Sequence, residues 1–328
     1  MKRHKICKII FAILAVFLCV AFYELIGICV TYKKQPAVSD ATIKETQNIM
    51  SVAGRENTER AVIIEKNSQA LLERVRLIQN AKDEIILSTF AFKSDESGKL
   101  ILGALHDAAD RGVHVRILVD GMESWIDMEG NPYFYGLSSH ENVEIKLYNK
   151  ANPLKPWKTM GRMHDKYLIA DGKIYILGGR NTYNYFLGDF PGHKNFDRDV
   201  LVVCDEPQKD NSVNQLWNYF ETIWEQEDCR YFHNSKKLAD RQSVKKAVLE
   251  LQEGYQQYFE VNKEKICDTD YADETFETEK ITLLSNPIHT QAKEPVVWYQ
   301  LGELMKNAKE RVKIHTPYII CNDMMYNT

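Results

Sequence analysis

The 328 residues carry 44% apolar and 27% charged side chains, the balance of a chain that folds around a core, at a length that allows one large or two ordinary domains. The 42 Lys and Arg against 46 Asp and Glu leave a net charge of −4, which excludes the global basic field that drives non-specific nucleic-acid binding. Seven cysteines, three of them in the N-terminal apolar stretch and none in a CxxC pair, exclude a disulfide framework, a zinc cluster and a thioredoxin-like motif.

Residues 1–8 are basic, and residues 9–30 hold one carboxylate, Glu24, and no Asp, Lys or Arg. About 20 apolar residues rising 1.5 Å each cross a hydrocarbon core, so residues 9–30 are expected to form a transmembrane helix. A cleaved signal peptide competes with this, but no small-x-small site closes the segment, and Cys19 and Cys29 follow the large residues Leu18 and Ile28. Lys2, Arg3, Lys5 and Lys8 precede the span and only Lys33 and Lys34 follow it closely. That bias puts the N-terminus in the cytoplasm and the rest of the chain outside, in a single-pass arrangement in the cell membrane. Residues 31–61, polar and without a sustained period, read as a tether.

Helical and strand patterns then alternate: helices over 69–81 and 100–111, the latter closed by Gly112, and strands over 84–92 and 114–119. Further strands are expected over 143–147, 167–170, 173–177 and 200–203, with Asp171-Gly172 as a hairpin turn, and 212–226 reads as a core-packing helix. This is α/β alternation. The run Leu77 to Lys82 with the strand after it lines up with Leu304 to Lys309 and the strand after that, at an offset of 227. An amphipathic helix before any strand would look similar; if the repeat holds, a second copy begins near residue 281 and is incomplete at residue 328.

The chemistry concentrates in Arg162-Met163-His164-Asp165-Lys166, four residues, Asp171, six residues, Gly178-Gly179-Arg180-Asn181. Strand alternation puts an imidazole and an ammonium on one face, and the hairpin returns two glycines and an amide donor to the same end. A nucleophile, a fixed cation and neutral donors suit attack on a phosphodiester. The joint pattern has a chance expectation on the order of one in 10^5 for a chain this long.

These residues resemble the phospholipase D superfamily, whose signature is the HKD motif followed by a glycine pair and Asn, and within it the C-type cardiolipin synthases. The resemblance runs from about residue 62 to the chain end and includes residues 110–116, the Tyr185-Phe186 pair and Thr316-Pro317-Tyr318; Thr182-Tyr183-Asn184 departs from it, which bears on acceptor specificity. It implies an α/β/α sandwich with a mixed sheet, a first catalytic half over 62–235, a helical, charged connector over 236–280 and the start of a second half over 281–328. It further implies that each half gives one HKD motif to a shared site, so that the second His would fall near position 391 and this chain alone would be inactive, needing the rest of a second half or a second copy. By the same resemblance His164 is the nucleophile, Lys166 and Asn181 hold phosphoryl oxygens, Gly179 gives the anion close access and Asp171 braces the motif. Asp199, rather than Asp197, orients the His ring. No metal and no cofactor are expected. The implied activity is membrane-anchored phosphatidyl transfer between phospholipids; a phosphodiesterase or nuclease and a non-catalytic membrane protein are the alternatives, although the net charge and the apolar span argue against a nucleic-acid partner. Residues 149–163, with Lys150, Lys155, Lys158, Arg162 and Trp157 and no acidic residue, read either as a lipid-facing loop or as an ordinary solvated one. Trp125 and Tyr133-Phe134-Tyr135 read either as a pocket or as core.

Overall fold

The structure, a computed structural model, describes residues 2–51, 58–233, 235–314, 316 and 326. It divides into two compact units, one of residues 1–54, 151–161 and 284–328, the other of residues 55–150 and 162–283.

The first unit contains helix α1 (Lys2–Tyr32), whose stretch Lys5–Tyr32 is apolar and long enough to cross a membrane. Helix α2 (Asp40–Ser51) follows, inside the stretch expected to be irregular. Polar and short, it shows no apolar stripe long enough to stand out, which is why the sequence reads as a tether there.

The second unit is built on one sheet. Its elements are β1 (Glu59–Ile64), α3 (Asn67–Asn80), β2 (Glu84–Thr89), α4 (Glu96–Asp110), β3 (His114–Asp120), α5 (Gly121–Asp127), α6 (Pro132–Ser138), β4 (Val143–Tyr148), β5 (Tyr167–Ala170), β6 (Ile174–Gly178), β7 (Asp199–Cys204), α7 (Ser212–Trp224), β8 (Cys229–Tyr231), α8 (Gln242–Ile266) and β9 (Phe276–Glu277). Among the described residues the strand order is β8-β4-β3-β2-β5-β6-β7-β1-β9; β2, β3 and β4 run parallel, and the other neighbours are antiparallel.

Strand alternation assigns the layers. Ile85, Leu87, Val115, Ile117, Val119, Ile145, Leu168 and Ile176 point into the main core with Leu71, Val75, Leu102, Leu105, Leu251 and Tyr255 of α3, α4 and α8. Residues of the other parity meet α7: Arg116 pairs with Glu221, the Lys146 ammonium lies 4.4 Å from the Trp224 ring, and the Tyr175 and Ser212 hydroxyls are 2.8 Å apart. Helices therefore cover both faces of a mixed sheet, the α/β/α sandwich expected. Helix α8 belongs to that core, with Val244, Ala247, Leu251 and Tyr255 buried, so it is more than a connector.

The Asp171-Gly172 hairpin is present, with φ of 52° and 61°, the left-handed pair that a type I′ turn requires. Gly112 (φ 93°) likewise ends α4. In the first unit α9 (Val296–Lys306) realises the helix of the suspected repeat; residues 311–314 and 316 are not strand, and the remainder of that expected strand lies outside the described residues.

Candidate active site

Parallel strands β2 and β3 end at Thr89 and Asp120. Because β5 runs antiparallel to β2, with Tyr167 opposite Ser88, the extended segment 162–166 that enters β5 arrives at the same end of the sheet. β6 ends there too, where Gly178 N–H donates to the Lys166 carbonyl at 3.2 Å and Gly178 faces Asp199, the first residue of β7. One edge thus collects Arg162, His164, Lys166, Gly178, Gly179, Asn181 and Asp199, and adds two residues that the sequence reading missed: Phe90 and Asp120.

Phe90 is the hub. The His164 ring packs on it edge-on at 4.6 Å between centroids, and the Arg162 guanidinium and Lys166 ammonium lie 5.0 and 5.4 Å from its centroid. His164 is exposed on its other side. Burial against these neighbours, then the charge of Lys166, hold its pKa below the ordinary 6.5, with Asp120 opposing. Lys166 is 6% exposed, and its ammonium donates to the His164 carbonyl at 2.6 Å. Burial lowers its pKa to about 8, against Asp165 and Asp197.

Asp120, 1% exposed, fixes the incoming segment. It accepts from Arg162 Nε at 2.9 and 3.0 Å and from the Met163 N–H at 3.1 Å, and its Oδ1 also caps α5 through the N–H groups of Met122 and Glu123. Arg162 donates as well to Glu123 Oε1 at 3.1 Å. Behind the segment, the Tyr219 hydroxyl of α7 donates to Asp165 at 2.8 Å. Asn181 accepts from the Ala91 N–H at 3.1 Å, which identifies that atom as its oxygen and leaves the amide NH2 as a donor.

Three of the expected placements need correcting. Asp171 is at the far end of the β5–β6 hairpin, where it accepts from the N–H groups of Lys82, Asp83 and Glu84; it braces the start of β2 and touches nothing reactive. Asp199, 1% exposed, sits 3.0 Å from Arg74 Nη1 and 3.2 Å from Arg180 Nη1. Among the described residues no hydrogen bond joins Asp199 or Asp197 to the His164 ring: both guanidinium groups contact Asp199 Oδ2, and its buried Oδ1 has no hydrogen-bond partner. On the side-chain side of the glycine pair the space is taken by carboxylates rather than left open: a Cβ on Gly178 would lie 1.9 Å from Asp199 Oδ1, and one on Gly179 2.1 Å from Asp197 Oδ2.

The departing Thr182-Tyr183-Asn184 segment ties this edge to α4. Asn184 N–H donates to Asp95 at 2.8 Å, its Oδ1 accepts from Ser97 N–H at 2.8 Å, and Tyr183 stacks with Tyr185 at 6.1 Å. Phe134 and Tyr135 are core, at 0% and 8% exposure, whereas Trp125 is exposed.

Residues 75–224 match the family model described as cardiolipin synthase, PLD-like domain, a stretch from within α3 to the end of α7 that contains every residue of this edge. The chain is 27% identical over 292 residues to an uncharacterized protein of Helicobacter pylori, covering 80% of this chain and 55% of that one. It is 29% identical over 154 residues to cardiolipin synthase C of Escherichia coli, covering 43% of this chain and 31% of that one, so it spans about half or less of these relatives' own length. Among solved structures, NucT from Helicobacter pylori aligns over 53% of this chain and 99% of its own at 17% identity, with a TM-score of 0.41. Residues 75–224, and with them this edge, thus form a domain of the phospholipase D superfamily.

Proposed function

We propose that the chain is a membrane-anchored phosphatidyltransferase of the cardiolipin synthase type, with His164 as the nucleophile. The observation that carries this reading is His164 itself: an imidazole packed on Phe90, exposed on its other side, beside a buried ammonium and with its pKa held down, so that its lone pair is free at neutral pH. In the proposed step a ring nitrogen attacks the phosphorus of a phosphatidyl donor, the bond to the leaving alcohol oxygen breaks, and a phosphohistidine forms. The hydroxyl of a second lipid then attacks phosphorus and releases the ring. Lys166 and the Asn181 amide stabilise the charge that builds on the phosphoryl oxygens, while Arg162 and Asp120 hold the segment that presents His164. The apolar α1 anchors the chain beside its lipid substrates, and the net charge of −4 disfavours a nucleic-acid polyanion.

The test is to incubate the full chain with phosphatidylglycerol vesicles, quench at alkaline pH, where phosphohistidine survives, and map the adduct by mass spectrometry. A phosphatidyl adduct on His164, absent in His164→Ala, is the expected result. Lys166→Ala and Asn181→Ala should each slow adduct formation about 100-fold, as the loss of one oxyanion-type donor does. An adduct elsewhere, or an equal yield from His164→Ala, removes the mechanism.

A further inference from the structure

The first unit brings residues 151–161 onto the C-terminal end of α1. The Tyr23 hydroxyl donates to the Leu154 carbonyl at 3.2 Å, and Gly27 admits Pro156 so closely that a Cβ there would meet the proline ring at 2.5 Å. Glu24, Gly27, Ile28 and Thr31, spaced as one face of a helix, are partly covered, while residues 5–23 are exposed throughout. That exposed run is about 28 Å long at 1.5 Å per residue, close to the roughly 30 Å of a bilayer's hydrocarbon core. The covered face starts where the exposed run ends, at Tyr23, an aromatic residue of the type that marks the bilayer surface.

The same short segment buries Pro156 yet leaves its other large apolar side chains outward: Leu154 is 78%, Met160 56% and Trp157 40% exposed. Lys155 and Lys158 flank them, and no acidic residue lies between 149 and 163. Exposed Leu, Met and Trp with interspersed lysines, fixed beside the end of a membrane-spanning helix, have the chemistry of a segment seated in a headgroup layer.

We propose that residues 151–161 form a second membrane contact, a foot that inserts Leu154, Trp157 and Met160 into the headgroup and upper acyl layer of the leaflet at the C-terminal end of α1, with anionic headgroups against Lys155 and Lys158. This rests on the reading of α1 as a membrane anchor. The foot ends at Gly161, and His164 follows three residues later, a covalent reach of about 11 Å at 3.8 Å per residue.

The experiment uses the full chain in vesicles of phosphatidylcholine with phosphatidylglycerol whose acyl chains are brominated near the headgroup. Tryptophan emission should be quenched by these lipids, and Trp157→Phe should remove most of the quenched component. Leu154→Asp combined with Met160→Asp should weaken the quenching at least several-fold without changing the retention of the chain on the membrane after alkaline carbonate extraction. Undiminished quenching in Trp157→Phe, or equal access of aqueous iodide to Trp157 with and without vesicles, overturns the foot. Release of the unmodified chain by carbonate overturns the anchor, and the foot with it; retention without shallow quenching of Trp157 overturns the foot alone.

Discussion

His164 has to be neutral to attack phosphorus, and Lys166 has to be charged to hold a phosphoryl oxygen, so their two pKa values frame the range in which the proposed chemistry runs. Burial and Lys166 lower the pKa of His164 below 6.5, so kcat/KM should rise with pH through a value on the acid side of an ordinary histidine. Lys166, brought down to about 8 by burial, loses its proton as pH climbs past that value, and kcat/KM should fall there. Below the lower limb the nucleophile is protonated; above the upper one the oxyanion partner is neutral. A guanidinium stays charged throughout, so in Lys166→Arg the alkaline limb should move above pH 10 even if the maximum is lower. The measurement is the pH profile of phosphatidyl transfer for both proteins, and an unmoved alkaline limb would assign it to another group.

At the scale of elements, the carboxylates around the hairpin separate by what they hold up. Asp171 ties three backbone N–H groups at the start of β2 from a left-handed position, and Asp171→Gly keeps that backbone comfortable while deleting the acceptor. The loss should be about 2 kcal/mol of stability, with the rate of adduct formation on His164 little changed. Asp199 stands between two buried guanidinium groups, and Asp199→Asn leaves them without a counter-charge, which should cost about 3–5 kcal/mol. Urea unfolding in detergent micelles would rank the two; a larger loss from Asp171→Gly would reverse this division of labour. The motif residues were legible because their spacing along the segment that enters β5 and along its return is local, and the hairpin was legible from Asp171-Gly172 alone. Phe90, Asp120 and the way Arg162 joins them were not, since the three lie dozens of residues apart and meet only because parallel strands β2 and β3 end side by side. The signal available in the sequence was positional: each of the first two closes a parallel strand, at the end where open α/β sheets place their sites. The strand β1 was missed because Glu59–Ile64 straddles the expected tether boundary, and α5 and α6, seven residues each, are too short to show a helical period.

At the scale of the whole chain the deciding quantity is the number of motifs. The 328 residues contain a single HxK pattern, His164 to Lys166, and the proposed reaction asks for two proton-handling groups: one to attack phosphorus and one to protonate the leaving alcohol and later deprotonate the acceptor. His164 cannot be both, because once it is bonded to phosphorus the attacking nitrogen has no proton to give. Of the described charged neighbours of His164, Asp120, Glu123 and Arg162 are bonded to one another, Lys166 donates to the His164 carbonyl and is needed charged for the phosphoryl oxygen, and none of them is a histidine that could fill the second role. General acid–base help is worth about 10²- to 10⁴-fold, so residues 1–328 alone should form the His164 adduct yet turn over that much more slowly than the same residues joined to a second HxK segment. A second copy could in principle supply the missing imidazole, and it would announce itself by a specific activity that rises with protein concentration as dimers form. The comparison is cardiolipin formed per mole of protein by the two chains across a hundredfold range of concentration. Equal turnover by residues 1–328, flat across that range, would show that one motif is sufficient and that the second proton-handling group lies among the residues already described.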